Sequence, residues 1–257
     1  MGTGAITNHI DVAQLVLYAF WIFFAGLIIY IRKEDKREGY PLESDRSGSI
    51  KVQGFPAMPE PKSYRLAHGG SVLKPSPSSL QEPEILAIPT ELWPGAPLTP
   101  TGNPMRDGVG PAAYAQRADS PDLTLEGEPK ILPLRVAAGF GIADAGPDPR
   151  GMPVIGGDGK VGGIVTDAWV DRAEPQVRYL EVEVTGSKRH VLVPMGFSKV
   201  DSLRARVIVR SILASQFEDV PGLRNPDLVT LLEEDRISAY YGGGTLYATP
   251  DRMGPWL

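Results

Sequence analysis

Three patterns in this chain could carry chemistry by residue type and spacing. The first is Gly157-x-Gly159-x-x-Gly162, which has the form of a dinucleotide fingerprint. That motif needs a helix directly after it, so that the helix N-terminus meets the pyrophosphate. The next residues, GIVTDAWV, read as a strand instead, so the glycines are assigned to a hairpin turn. The second is the set of three histidines, His9, His68 and His190. They lie far apart with no paired spacing, which gives neither a metal site nor a localisable Ser/His/Asp triad. The third is charge: the run Arg32-Lys33-Glu34-Asp35-Lys36-Arg37, and Glu233-Glu234-Asp235-Arg236 near the end. With no cysteine, disulfides, thiolate catalysis and Cys-based metal sites are excluded. The net charge of −5 argues against a nucleic-acid surface, which needs a basic excess. No autonomous enzyme is visible.

The elements that would position these groups begin with Val12 to Ile31, twenty residues with no charge and one amide, Gln14. At about 1.5 Å per residue such a helix crosses the roughly 30 Å hydrocarbon core once. A cleaved signal peptide fits poorly: the first 31 residues hold no Lys or Arg, the apolar run is too long, and charges stand where a cleavage site would be. The basic residues come after the span and none precede it, which predicts residues 1–11 on the periplasmic or exterior side and the bulk in the cytoplasm. Tyr30 beside Arg32 reads as interfacial, and Lys33, Lys36 and Arg37 as contacts to anionic headgroups or to partner subunits. Trp21, mid-span, reads as a packing residue for another helix.

From Pro41 to Pro111 the chain carries thirteen of its 25 prolines. Proline removes a backbone donor and fixes φ, so mostly helix or central strand is excluded there. A free tether would not carry Phe55, Met58, Tyr64, Leu66, Ile85, Leu86, Ile88, Leu92 and Trp93. Residues 32–111 therefore read as an extended segment lying on a partner. From 112 on, short strands dominate. Arg178 to Val184 alternates, with Leu180, Val182 and Val184 on one face and Tyr179, Glu181 and Glu183 on the other. His190–Met195 and Arg206–Ile212 are further apolar runs, and Gly156–Lys160 is a hairpin turn. The fold class expected is a single transmembrane helix plus a mainly β cytoplasmic domain, an antiparallel barrel or sandwich closed by a C-terminal helix at about 226–241. Asn225 is read as that helix's cap, Pro226 as its first turn and Gly242–Gly244 as its stop.

Four strings then fall in order: FWIFFAGLIIYIRKEDKREGYPLE, PTGNPMRDGVGPAAYAQR, WVDRAEPQVRYLEVEV and VTLLEEDRISAYYGGGTLYA. The chain resembles, from Asp11 to about Ala248, the H subunit of the photosynthetic reaction centre of purple bacteria. The resemblance implies a PRC-type β-barrel that caps the L and M subunits on the cytoplasmic side. It implies no pigment on this chain: bacteriochlorophyll, bacteriopheophytin, quinones, non-haem iron and a carotenoid belong to L and M. An antenna ring, a cytochrome and membrane lipids are further partners implied, and nucleic acid is not.

The same resemblance marks proton-transfer residues. A doubly reduced quinone takes up protons through groups that bind and release them, and clustered carboxylates raise one another's apparent pKa enough to share a proton. Glu174 stands where the family has a glutamate near the secondary quinone, flanked by Asp171 and Arg178. Asp119 to Lys130 is the second zone, with Asp122, Glu126, Glu128 and Lys130. One branch of the family has an aspartate and two histidines there; this chain has Thr124, Glu126 and Glu128, so a group titrating near neutrality is missing. Glu233–Arg236 is expected to be a solvated or interface face. The competing expectation is a purely structural scaffold with no proton role.

Overall fold

In the computed structural model, which describes residues 11–37, 54–67, 69–75, 84–93, 96–144 and 146–253, the apolar run becomes α1 (Val12–Asp35). Asp11 caps it, its carboxylate accepting from Gln14 N at 2.7 Å. The helix has no buried residue and is long and apolar enough, by length and composition, to cross a membrane. Phe20, Trp21 and Phe24 form a contiguous aromatic surface on it.

The chain divides into two compact units. The first holds α1 and a hairpin of β1 (Lys62–Arg65) and β2 (Ser71–Lys74). Within it the basic run turns inward. Lys36 is buried and donates to Gly54 O at 3.2 Å and to Pro56 O. Arg37 pairs with Glu34 at 2.8 Å and donates to Glu60 O. Both cations thus have intrachain carbonyl partners in addition to any headgroup or partner contact expected of them. A proline-rich chain leaves carbonyls without ladder donors, and the nearest cations satisfy them. Tyr30, Arg32 and Lys33 stay exposed. His9 and the stretches 41–53 and 76–83, with His68, lie outside the described residues.

The second unit takes up residues 85–90 and everything from Pro97. It contains a hairpin of β3 (Ala87–Pro89) and β4 (Leu98–Pro100), and then α2 (Pro104–Asp107). Asn103 caps α2, Pro104 takes its first position, and Met105 is buried in the core, which ties this stretch to the domain behind it.

The main sheet has seven strands: β5 (Ile131–Pro133), β6 (Pro153–Ile155), β7 (Val161–Asp171), β8 (Gln176–Val184), β9 (His190–Pro194), β10 (Ser198–Asp201) and β11 (Arg206–Val209). Their order is β10-β11-β6-β7-β8-β9, with β5 pairing the far end of β7. All pairs are antiparallel except β11 with β6, and the sheet does not close into a full barrel among the described residues. The glycine triad is the β6–β7 turn, as expected: Gly156 N donates to Lys160 O at 2.9 Å, and Gly159 takes φ 75°. A Cβ on Gly162 would lie 2.5 Å from the Phe217 ring, so this strand position needs glycine to let the ring cover it. Trp169, Leu180, Val182, Val193 and Phe217 are fully buried at the centre.

The terminal helix differs from expectation at both ends. α3 runs Leu231–Tyr247, capped by Thr230 in a reciprocal box with Glu233. Asn225 makes a local turn instead, accepting from Asp227 N at 2.9 Å. Gly242–Gly244 lie inside the helix. In water each would cost about 1 kcal/mol against alanine. Here a Cβ on Gly243 would sit 2.5 Å from Ala112, so the glycines are used for close helix packing and not as a stop.

Candidate functional site

The β7–β8 turn and the loop before β5 bring several expected residues together. Residues 122–130 form a tight hairpin, with Thr124 N donating to Glu128 O and Lys130 N to Asp122 O, both at 2.8 Å. Arg172 N then bonds Lys130 O at 2.9 Å, which docks the hairpin on the β7–β8 turn. Lys130 Nζ thereby sits 3.6 Å from both Asp122 and Asp171. Asp171 is buried and accepts from the N–H groups of Ala173 and Glu174, both at 3.0 Å, so it shapes the turn that carries Glu174. Glu174 itself is exposed and accepts from Gln176 Nε2 at 3.2 Å. Arg178 is exposed on β8.

Glu126 and Glu128 are exposed and stand outside this group of ion pairs. The Thr124 hydroxyl beside Glu126 holds its carboxyl below the usual range, with Arg172 adding to the effect. Asp119 is committed to the helix start: Thr230 Oγ1 donates to it at 3.0 Å and Arg224 pairs with it. Arg224 and Thr230 together hold it low.

Two groups in the neighbourhood were not expected. Glu234, in the first turn of α3, accepts from the Tyr179 hydroxyl at 2.7 Å. Burial pushes its carboxyl above the ordinary glutamate value, although Tyr179, Arg178 and Arg117 pull the other way; Asp122 adds to the rise. Burial likewise pushes the Tyr179 phenol up. The solvated face expected for Glu233–Arg236 is thus corrected for its first half. Glu233 is buried as the helix cap and also accepts from Arg224 N at 2.8 Å, and Glu234 is half-buried. A usable signal was present in Thr230-x-x-Glu233, whose spacing is that of a capping box and which turns the next residue toward the strand.

A second network stands on the same two strands. Glu181, on the face of β8 opposite Leu180 and Val182, is buried as well. It accepts from Arg135 Nη1 at 2.6 Å and Trp169 Nε1 at 2.9 Å, and pairs with His190 Nδ1 at 2.8 Å. Arg135 also meets Asp167 at 3.2 Å and Asp227 at 2.9 Å. Arg135, Asp167, Glu181 and His190 line a cavity of about 730 Å³ with Leu192 and Leu223. Burial alone would raise the Glu181 pKa; the bonds from Arg135, Trp169 and His190 outweigh it and hold the carboxyl below its usual value. Among the described residues no group of three or more His, Cys, Asp or Glu has the arrangement of a metal site.

The comparisons with known families agree with this layout. Residues 4–136 match the family described as photosynthetic reaction centre, H-chain N-terminal region, and residues 143–216 match the PRC-barrel domain. The first match spans α1, both small hairpins and β5, and the second runs from β6 past β11. With more than half of its 257 residues inside the first match, this chain belongs to the photosynthetic reaction centre H-chain family.

Proposed function

We propose that this chain caps the L and M subunits on the cytoplasmic side, stabilises the secondary quinone site and passes protons toward the reduced quinone. In this reading it binds no pigment and catalyses nothing alone. α1 is its membrane anchor, and the exposed apolar residues of the proline-rich segment, among them Phe55, Ile85, Leu92 and Trp93, are its partner contacts. The observation that carries the proton role is the convergence of Asp122, Lys130 and Asp171 beside Glu234, a carboxyl displaced upward by burial and in hydrogen bond with Tyr179. Glu174 is the outermost acid of this edge and the one that reaches the partner.

The scaffold alternative draws on a specific observation too: Lys130 neutralises Asp122 and Asp171, which serves a rigid turn as well as a relay. Replacing Glu174 with Gln in the assembled complex separates the two. We expect flash-induced proton uptake linked to the second electron to slow severalfold with assembly intact. Unchanged uptake in a fully assembled Glu174→Gln complex would leave only the scaffold.

A further inference from the structure

The β6–β7 turn, the strands β10 and β11 and the end of α3 enclose two adjoining concavities, of about 540 Å³ and 350 Å³. Ile208, Arg210 and Arg252 line both. Lys199, Ser211 and Thr245 complete the larger one and Arg206 the smaller, and among the described residues no acidic side chain lines either. In a chain whose net charge is −5, a groove walled by four cations is a strong local departure.

The charges are not cancelled from behind. Asp201 takes Arg206 at 3.1 Å, but Lys199 and Arg210 have no carboxylate partner among the described residues. Among the described residues Arg252 is fixed by carbonyls: Nη1 donates to Ser211 O at 2.7 Å and to Gly244 O at 2.6 Å, and Nη2 to Arg210 O at 2.9 Å. Carbonyl dipoles orient a guanidinium without removing its charge, so the cation is held ready with little side-chain freedom left to lose on binding. Asp158, in the β6–β7 turn, is turned to the backbone, accepting from Lys160 N at 3.3 Å and Ala214 N at 3.2 Å.

An independent sign comes from the wall itself. Ser211 is 6 % exposed and its hydroxyl has no hydrogen-bond partner among the described residues. Buried hydroxyls are almost always paired; this one is shut from solvent, so it donates to an anion in the groove only after the wall moves to expose it.

We propose that this groove is an anion site that takes a phosphate group, held by Arg210 and Lys199 with Arg252 behind them and with Ser211 donating. The two sources of that chemistry are a soluble phosphate compound and an anionic phospholipid headgroup.

The test uses the complete reaction-centre complex carrying this chain. In detergent and phosphate-free buffer, calorimetric titration with inorganic pyrophosphate is expected to show one site per complex. Lys199→Gln with Arg210→Gln weakens it at least about tenfold, and Ser211→Ala severalfold. Both cations are exposed, so the double variant keeps the parent unfolding midpoint, and Lys199→Gln alone serves if it does not. If pyrophosphate fails to bind, the lipid arm decides. In nanodiscs containing phosphatidylglycerol, the headgroup phosphorus resonance should broaden with the parent complex and sharpen with the variant, and phosphatidylcholine should show neither. Pyrophosphate binding of equal strength in parent and variant overturns the proposal, as does the absence of any variant-sensitive signal in both arms.

Discussion

Glu181 and Glu234 are both carboxyls taken out of water beside the same β7–β8 ladder, yet they are driven in opposite directions. Glu181 is surrounded by three donors, Arg135, Trp169 and His190, and stays ionised. Glu234 has one neutral donor, the Tyr179 hydroxyl, with Arg178 and Arg117 acting only at a distance, and its proton is held more tightly. Burial is common to the two, so the count and charge of donors decides which carboxyl is a strut and which can carry a proton. That difference fits the proposed split, in which the Arg135 cavity is a stabilising network and the edge around Asp122 and Glu234 is the proton-handling one.

The largest expected break is at Arg135. Arg135→Met strands Glu181, Asp167 and Asp227 together. It should cost about 2–4 kcal/mol in denaturant unfolding at neutral pH, below the roughly 3–5 kcal/mol of a deeply buried pair because Arg135 keeps part of its surface in water. A loss near zero would mean the cavity is hydrated enough to hold three free carboxylates. Next comes Glu181→Gln, expected to cost about 1–3 kcal/mol from the lost charged hydrogen bonds. Since the folded-state pKa of Glu181 is lowered, its contribution is present above the ordinary glutamate value and disappears as pH falls through the folded one. The acid limb of the stability curve should therefore flatten in the variant.

A smaller effect, about 0.5–1.5 kcal/mol, is expected for Tyr179→Phe, which removes the single donor and should raise the Glu234 pKa further. Carboxyl infrared difference spectra would read that shift. The smallest change in stability is expected for Glu234→Gln, which keeps an acceptor for Tyr179. Its sign with pH is opposite to that of Glu181. A raised carboxyl favours the folded state below the unfolded value and loses that contribution as pH rises through the folded one. The variant should thus gain on the parent as pH rises, and a gain on acidification would reverse the assignment.

The sequence was readable where a pattern is local. The anchor helix begins at Val12 as its composition required, and the Gly156–Lys160 turn joins the strands its glycines mark. Asp171 was named from a family string and Lys130 as the end of the second candidate zone, and the fold brings them together through a hairpin that docks backbone to backbone. What escaped depends on tertiary cover. The alternation in RYLEVEV puts Glu181 on a polar face, and nothing within the strand tells that Arg135, Leu223 and Pro226 close over it. Asn225-Pro226 has good cap chemistry but loses to the Thr230–Glu233 box, because residues 118–120 supply acceptors for Leu231 N and Leu232 N only one turn later. Gly242–Gly244 look like a stop until Ala112 is known to lie against them.

The central claim is that the acids at the β7–β8 edge serve the quinone and those around Arg135 do not. Flash kinetics of the second electron transfer, measured in assembled Glu234→Gln and Glu181→Gln complexes from acid to alkaline pH, tests it most directly. The account predicts a slowed, pH-shifted transfer in Glu234→Gln and parent kinetics in Glu181→Gln. Parent kinetics in both, or equal slowing in both, would contradict it.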